Sequence, residues 1–300
     1  MGYLFLILAL IAGGTKGYCG KKTSGAIVLS SDSMVMNDLR MGLCVIIGFF
    51  LILLQGDIQS LSWDAPLFWS ALLSGVASAA FVVSWLLSVR SGAYMMVEVF
   101  LLIGVVVPLT LCRIFLNESI SVRQIIALFI LLIAVYIMCT YNVSVKGKLK
   151  PAQLIMLFIC GISNGFADFS QKLFVKMRPE GSIAAFNFYT YCFAGIVLFF
   201  ACLFFRKADK RRGFSLRAPL EVIKPIWMYV LIMAVCLFAN SFFKTEAAKY
   251  LDAARLYPLS NGAAVLVSLF MSSVFFKEKI NARCIVGILL SFVALLMINL

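Results

Sequence analysis

The sequence predicts an all-α integral membrane protein, its ten transmembrane helices arranged as two inverted five-helix repeats. Three observations carry that expectation: an apolar composition, ten separate apolar runs, and a second half that echoes the first. Of 300 residues, 63% are hydrophobic and 13% charged, with a mean hydropathy of +1.03. A soluble domain holds about 45–50% apolar and about 25% charged residues. Surface-to-volume scaling leaves every soluble fold too much exposed area to hide the excess, so the surrounding solvent must itself be apolar. Crossing a bilayer takes about 20 residues, and lipid offers no partner to open backbone groups, so each crossing must be helical. Barrel strands would alternate over ~10 residues; the runs here are continuous.

The runs cover residues 2–19, 39–54, 66–89, 93–116 and 122–141, then 151–175, 184–205, 225–248, 253–276 and 282–300. The first lacks a charged leader and has a counterpart later in the chain, so it is expected to be a retained helix rather than a signal peptide. Pro66, Pro151 and Pro225 open their runs, as proline does at a first helical turn. Pro108 and Pro258 fall inside runs and are expected to kink or break them. A polar linker at 142–150 divides the chain at its midpoint, and the longest loop, 206–224, is strongly basic.

The repeat appears when the halves are overlaid. Glu118-Ser-Ile-Ser-Val-Arg123 lies over Glu278-Lys-Ile-Asn-Ala-Arg283 at an offset of 160, each opening the last run of its half. Lys16-Gly-Tyr-Cys-Gly-Lys-Lys22 lies over Phe166-Ala-Asp-Phe-Ser-Gln-Lys172 at an offset of 150. The difference fits an insertion at 206–224. Residues 1–145 and 146–300 are therefore expected to be two copies of one five-helix unit. Five is odd, so the copies sit upside down relative to each other. Inverted repeats place a solute site near the midplane between the halves and permit alternating access.

These features resemble the drug/metabolite transporter superfamily, EamA-like branch. The second half is most similar: Tyr257-Pro-Leu259, Glu278 twenty residues after the proline, then Gly287 in the last run. The resemblance implies ten helices and a central cavity lined by the first four helices of each half. It also implies export or exchange of small organic solutes such as amino acids, nucleosides, sugars or drugs. The first half departs from the pattern, with Glu98 where the family typically has proline.

The net charge of +13 would suggest nucleic acid in a soluble chain. Here the cations lie mostly between runs, where they set orientation and meet lipid headgroups, and no nucleic-acid partner is expected. Of the 26 Lys and Arg, 17 fall in odd-numbered loops and 8 in even-numbered ones. The positive-inside rule then places both termini outside, whereas the resemblance implies both in the cytoplasm; the charge count is preferred. Nine scattered Cys read as small apolar residues. The absence of His removes the commonest proton shuttle and metal ligand, so no cofactor or metal is expected.

Charge inside a membrane is costly, about 2.5–3.5 kcal/mol on insertion scales, and marks candidate function. Glu98, with Tyr94 one turn earlier, suits proton coupling or a cationic solute; the alternative is a packing ion pair with Lys16 or Arg90. Lys16 lies too deep to snorkel easily, which favours cavity lining or pairing. Asp168, near Asn164, reads as cavity lining or as an i, i+4 pair with Lys172. Lys244 reads as a structural cation near the interface. Tyr257, beside Pro258, and Asn261 are candidates because broken helices expose backbone dipoles to ligands. Asn187, Tyr189 and Tyr191 read as cavity lining or as an interfacial aromatic belt. Glu118 and Glu278 are expected to stabilise the starts of the last helices through the helix dipole, with Arg123 and Arg283 as partners.

With no Walker-type motif, ATP is not the direct energy source. The expectation is a secondary transporter in the cell membrane, moving a small molecule with a proton or other coupling ion, as a monomer or homodimer. A non-transporting receptor or scaffold is the alternative. A membrane enzyme would need converging catalytic groups that the sequence does not display.

Overall fold

The computed structural model describes residues 1–26, 30–91, 94–146, 151–208, 221, 223–275 and 282–299. Those residues form helices and no strand. In chain order they are α1 (Gly2–Ser24), α2 (Ser30–Leu54), α3 (Ala65–Ser91), α4 (Tyr94–Gly104), α5 (Val106–Leu116) and α6 (Val122–Lys146). There follow α7 (Pro151–Met177), α8 (Ile183–Ala208), α9 (Trp227–Tyr250), α10 (Ala253–Val274) and α11 (Ala282–Asn299). Among the described residues, α1, α2, α3, α7, α8 and α9 are long and apolar enough to cross a bilayer. Shorter apolar helical stretches lie at Phe100–Leu116, Val122–Ala134 and Ile285–Ile298. Large apolar side chains such as Ile11, Phe50, Phe129 and Phe200 point outward, as lipid requires and water would penalise. The chain is a multi-pass membrane protein.

Three helices start, end or run differently from expectation; α6 continues to Lys146, through the first half of the segment expected to be a linker. α2 begins at Ser30, nine residues before the apolar run. Its polar first turns are no loop: Ser33, Asn37 and Arg40 are buried, satisfied in part by Asn37 Nδ2 donating to the Ser33 carbonyl at 2.9 Å and Arg40 Nη1 donating to Asn37 Oδ1 at 2.6 Å. Arg40, Lys172, Lys176 and Lys244, counted above as loop cations, all lie within helices. The charge asymmetry survives their removal. Pro258, expected to kink or break its run, lies within an unbroken α10. It faces the carbonyl of Ala254 in the first turn, so little helix lies upstream to be displaced.

Pro108 interrupts the hydrogen-bond ladder of its segment without turning the backbone out of helical conformation, since Val105 keeps φ −61° and ψ −27°. The proline offers no N–H to the Gly104 carbonyl, and the helix is interrupted at Val105 between α4 and α5. α5 ends on Asn117, which takes the left-handed conformation (φ 54°) that Asn tolerates better than most residues. The N–H groups of Asn117 and Glu118 both donate to the Cys112 carbonyl, a closing turn that orients Glu118. Ser121 and Gln124 then cap α6 reciprocally at 2.9 and 3.2 Å.

The helices pair as α1 with α9, α2 with α8, α3 with α7 and α6 with α11, while α4 and α5 lie on α7 and α10. The α4–α5 interruption meets α7 at Gly161 and Gly165, a small-xxx-small pair. A methyl group added at Gly104 would strike the Gly161 carbonyl, and one at Gly165 the Gly104 carbonyl. On α1, Gly13 and Gly14 admit the side chains of Asn240 and Val267, and Gly20 admits the Trp85 ring.

At one end of the bundle Asp64 Oδ1 accepts from Leu67 N at 2.8 Å and caps α3. Asp64 also meets Arg178 at 3.0 Å, but both side chains are about one-third exposed (38% and 31%), and such pairs contribute little. Asp64→Ala is expected to cost about 1 kcal/mol through the lost cap, read as a lowered unfolding temperature in detergent.

Candidate functional site

A buried polar cluster forms around Asp168 on α7, which is 2% exposed. Lys244, on α9, donates to Asp168 Oδ1 at 2.6 Å. Asn164, one turn earlier on α7, and Asn261, on α10, each bring an amide to Asp168 Oδ2 at 3.4 Å. The Tyr257 hydroxyl, also on α10, donates to the Asp168 backbone carbonyl at 2.6 Å, and the Lys244 ammonium lies 5.6 Å from the Tyr257 ring centroid. Three helices are thus tied through one carboxylate. A buried pair of this kind is stable only because additional hydrogen bonds satisfy both ions.

Beside the cluster lies a cavity of ≈ 60 Å³, enough for a few waters and far below the ~300 Å³ at which ligand pockets begin. Its polar lining is Lys16, Asn164, Asn240, Lys244, Ser260 and Asn261; Phe81, Trp85 and Leu101 supply apolar wall. Lys16 approaches the Phe81 and Trp85 rings at 5.3 and 5.9 Å, distances at which a ring face attracts a cation. The walls come from α1, α3, α4, α7, α9 and α10. Asn240 is fixed by donating to the Ala9 carbonyl at 2.7 Å.

Of the residues singled out in the sequence, Lys16, Asn164, Asp168, Tyr257 and Asn261 are brought together here. The side chains of Tyr94 and Glu98 and the whole of Glu278 lie outside the described residues, as do the side chains of Arg90 and Arg283. The i, i+4 pairing of Asp168 with Lys172 is not formed. Lys172 instead turns to Glu118 at 3.2 Å and donates to the carbonyls of Ala248 and Leu251 at 3.0 and 2.7 Å.

Glu118 departs from expectation too. It does not serve the start of its own helix; Ser121 and Gln124 do that. Its Oε2 accepts from Ala253 N at 2.8 Å, so it caps α10 in the other half of the chain. The dipole argument holds, but for a different helix.

Lys244 is no interfacial cation but the partner that keeps Asp168 buried. Asn187, Tyr189 and Tyr191 do not line the cavity. Asn187 accepts from Ser241 at 2.6 Å, and the tyrosine hydroxyls donate to the carbonyls of Leu61 and Leu237 at 2.6 and 3.2 Å. The Tyr189 ring meets that of Trp63 at a tilt of 52°, centroids 4.7 Å apart, in an aromatic group at the bundle end, as a belt would.

Sequence reasoning missed Asn240 and Ser260 as lining and Arg40 as a buried cation. Arg40 Nε has no hydrogen-bond partner among the described residues. The signal for Arg40 was its place on the edge of an apolar run, where a polar residue reads as loop.

No curated protein matches the chain in sequence. A crystal structure described only as that of a protein is similar in fold, aligning over 99% of this chain and 95% of its own, with a TM-score of 0.71 at 11% identity. The model of the EamA-like transporter family matches residues 151–300. That stretch supplies Asn164, Asp168, Asn240, Lys244, Tyr257 and Asn261, the greater part of the buried polar site. The chain belongs to the EamA-like transporter family, within the drug/metabolite transporter superfamily.

Proposed function

We propose that the protein is a secondary transporter of a small organic solute, an exporter or exchanger that works by alternating access. In this reading ten spans form two inverted repeats. The observation that carries it is the cavity between the halves, walled by helices of both and holding buried charge. Charge held inside a membrane bundle marks candidate function, and Lys16, Asp168 and Lys244 gather at this cavity. The helix pairing supports the repeat: exchanging the halves turns the α1–α9 pair into α7–α3 and leaves α2–α8 and α6–α11 unchanged. At ≈ 60 Å³ the cavity corresponds to a closed state without room for solute.

Asn164, Asn240, Ser260 and Asn261 offer hydrogen bonds to the solute, Phe81 and Trp85 a flat apolar wall, and the Lys16 and Lys244 ammoniums charge. Glu98, on the interrupted fourth segment, is the coupling candidate. Glu98→Gln is expected to abolish or decouple transport in proteoliposomes while leaving a folded protein; wild-type turnover with wild-type pH dependence would remove Glu98 from that role. Substrate class is found by thermal stabilisation with panels of metabolites and cationic drugs. A site ligand at 100 times its Kd adds about 2.7 kcal/mol. Hits confined to one chemical class, lost in Asn261→Leu, support the site; hits indifferent to that substitution place binding elsewhere.

A further inference from the structure

Three helices carry polar side chains in register. On α7 they are Asn164, Asp168, Lys172 and Lys176; on α9 Asn240 and Lys244 precede Ala248; on α10 the reverse order is Asn261, Tyr257, Ala253. Four residues of helix advance about 6 Å and return nearly to the same face. The three stripes therefore define successive levels. The first is the cavity, with Asn164, Asn240 and Asn261. At the second, Lys244, Asp168 and Tyr257 are joined. The third is the Glu118–Lys172 pair, with the Ala248 and Leu251 carbonyls and the capped Ala253 N–H. Beyond it a polar depression of ≈ 310 Å³, lined by Glu118, Lys172, Lys176, Lys249 and Asp252 among others, lies at the bundle end where α7 and α9 finish.

We propose that these levels trace the solute path toward the Glu118 face, and that the Glu118–Lys172 pair is its outer gate. This rests on the transporter reading and adds a named exit to it. Glu118 belongs to the first half of the chain; Lys172, Ala248, Leu251 and Ala253 belong to the second. Its carboxylate is the bolt across that boundary, with one oxygen on Lys172 and the other on the start of α10. Lys172 in turn holds the Ala248 carbonyl in the last turn of α9 and the Leu251 carbonyl just past its end, so opening toward this face must break the pair, the cap, or both. Both side chains are nearly buried, 8% exposed for Lys172 and 13% for Glu118, and they form the floor of the depression at the bundle end.

The test reads access rather than flux. Ser260→Cys places a thiol in the cavity wall, and the native cysteines serve as the internal reference when maleimide adducts are counted by intact mass. Membrane-impermeant maleimide is applied to right-side-out and to inverted vesicles. K172M and E118Q are each expected to raise Ser260→Cys labelling from the Glu118 face by about tenfold or more, since a broken buried pair shifts the population toward the open state. Labelling from the opposite face should stay level or fall.

The double variant E118Q/K172M, which leaves no orphan charge, repeats the measurement if either single variant fails to fold. Unchanged labelling from the Glu118 face, or an equal rise from both faces, overturns the gate. Solute flux is measured separately on the same proteins, so a sealed cavity in an active transporter sinks the gate alone. Loss of all transport activity in the parent protein would instead sink the reading on which it rests.

Discussion

Asp168→Asn is expected to lower the stability of the purified protein by about 3–5 kcal/mol and to abolish solute movement. The cause is the partner left behind. Lys244 is 6% exposed, and removing the carboxylate at 2.6 Å strands an ammonium among apolar helices, which costs more than the pair itself contributes. Lys244→Met should be similarly destabilising for the mirror reason. The double variant D168N/K244M leaves neither charge orphaned and should recover much of the lost stability while remaining inactive. Unfolding temperatures for the four proteins give the coupling between the two sites. Additive losses, with the double variant the weakest, would show that the two groups do not face each other in the folded protein.

The second large effect belongs to the backbone. Gly104→Ala is expected to cost about 1–3 kcal/mol, the range for forcing atoms into a filled space, because its new methyl meets the Gly161 carbonyl rather than a side chain that can swing away. Gly42, on α2, is the control: nothing lies within 4 Å of a methyl added there. Gly42→Ala should be neutral or stabilise by about 0.5–1 kcal/mol through helix propensity. If both substitutions behave alike in a thermal shift series, α4 and α7 are not in backbone contact. The close approach matters beyond stability, because it seats the interrupted fourth segment beside Asn164 and the cavity wall.

Much of the architecture is legible in the sequence because lipid makes burial simple: an apolar run long enough to span is a helix. α2 is the exception, where Ser33, Asn37 and Arg40 form the buried start of a helix. Hydropathy cannot distinguish a polar residue facing water from one facing a partner across the bundle. The site shows the same boundary. Lys16, Asn164, Asp168, Tyr257 and Asn261 are each conspicuous, since charge and amides in apolar runs are costly whatever surrounds them. Their partners are not conspicuous. Asp168 has a lysine four residues on, the spacing that helical geometry favours, yet it pairs with Lys244, 76 residues away. Glu118 opens a helix in sequence and caps another in space. Local rules give neighbours along the chain; which cation a carboxylate meets depends on how helices cross, and no single segment encodes that.

The layered ion pairs also bear on how the carrier responds to membrane voltage. A single charge driven through the full field does about 2.3 kcal/mol of work per 100 mV. Asp168 with Lys244, and Glu118 with Lys172, each sum to zero. While a pair stays closed, carrying it up or down with its helices moves no net charge through the field, so in the proposed cycle these two levels add nothing to the voltage dependence. A gate that separates Glu118 from Lys172 breaks that neutrality only near the edge of the bundle, where little of the field is dropped. Any voltage sensitivity of the frame itself would then fall to the charges outside these two pairs, Lys16 in the cavity wall and the buried Arg40 among them.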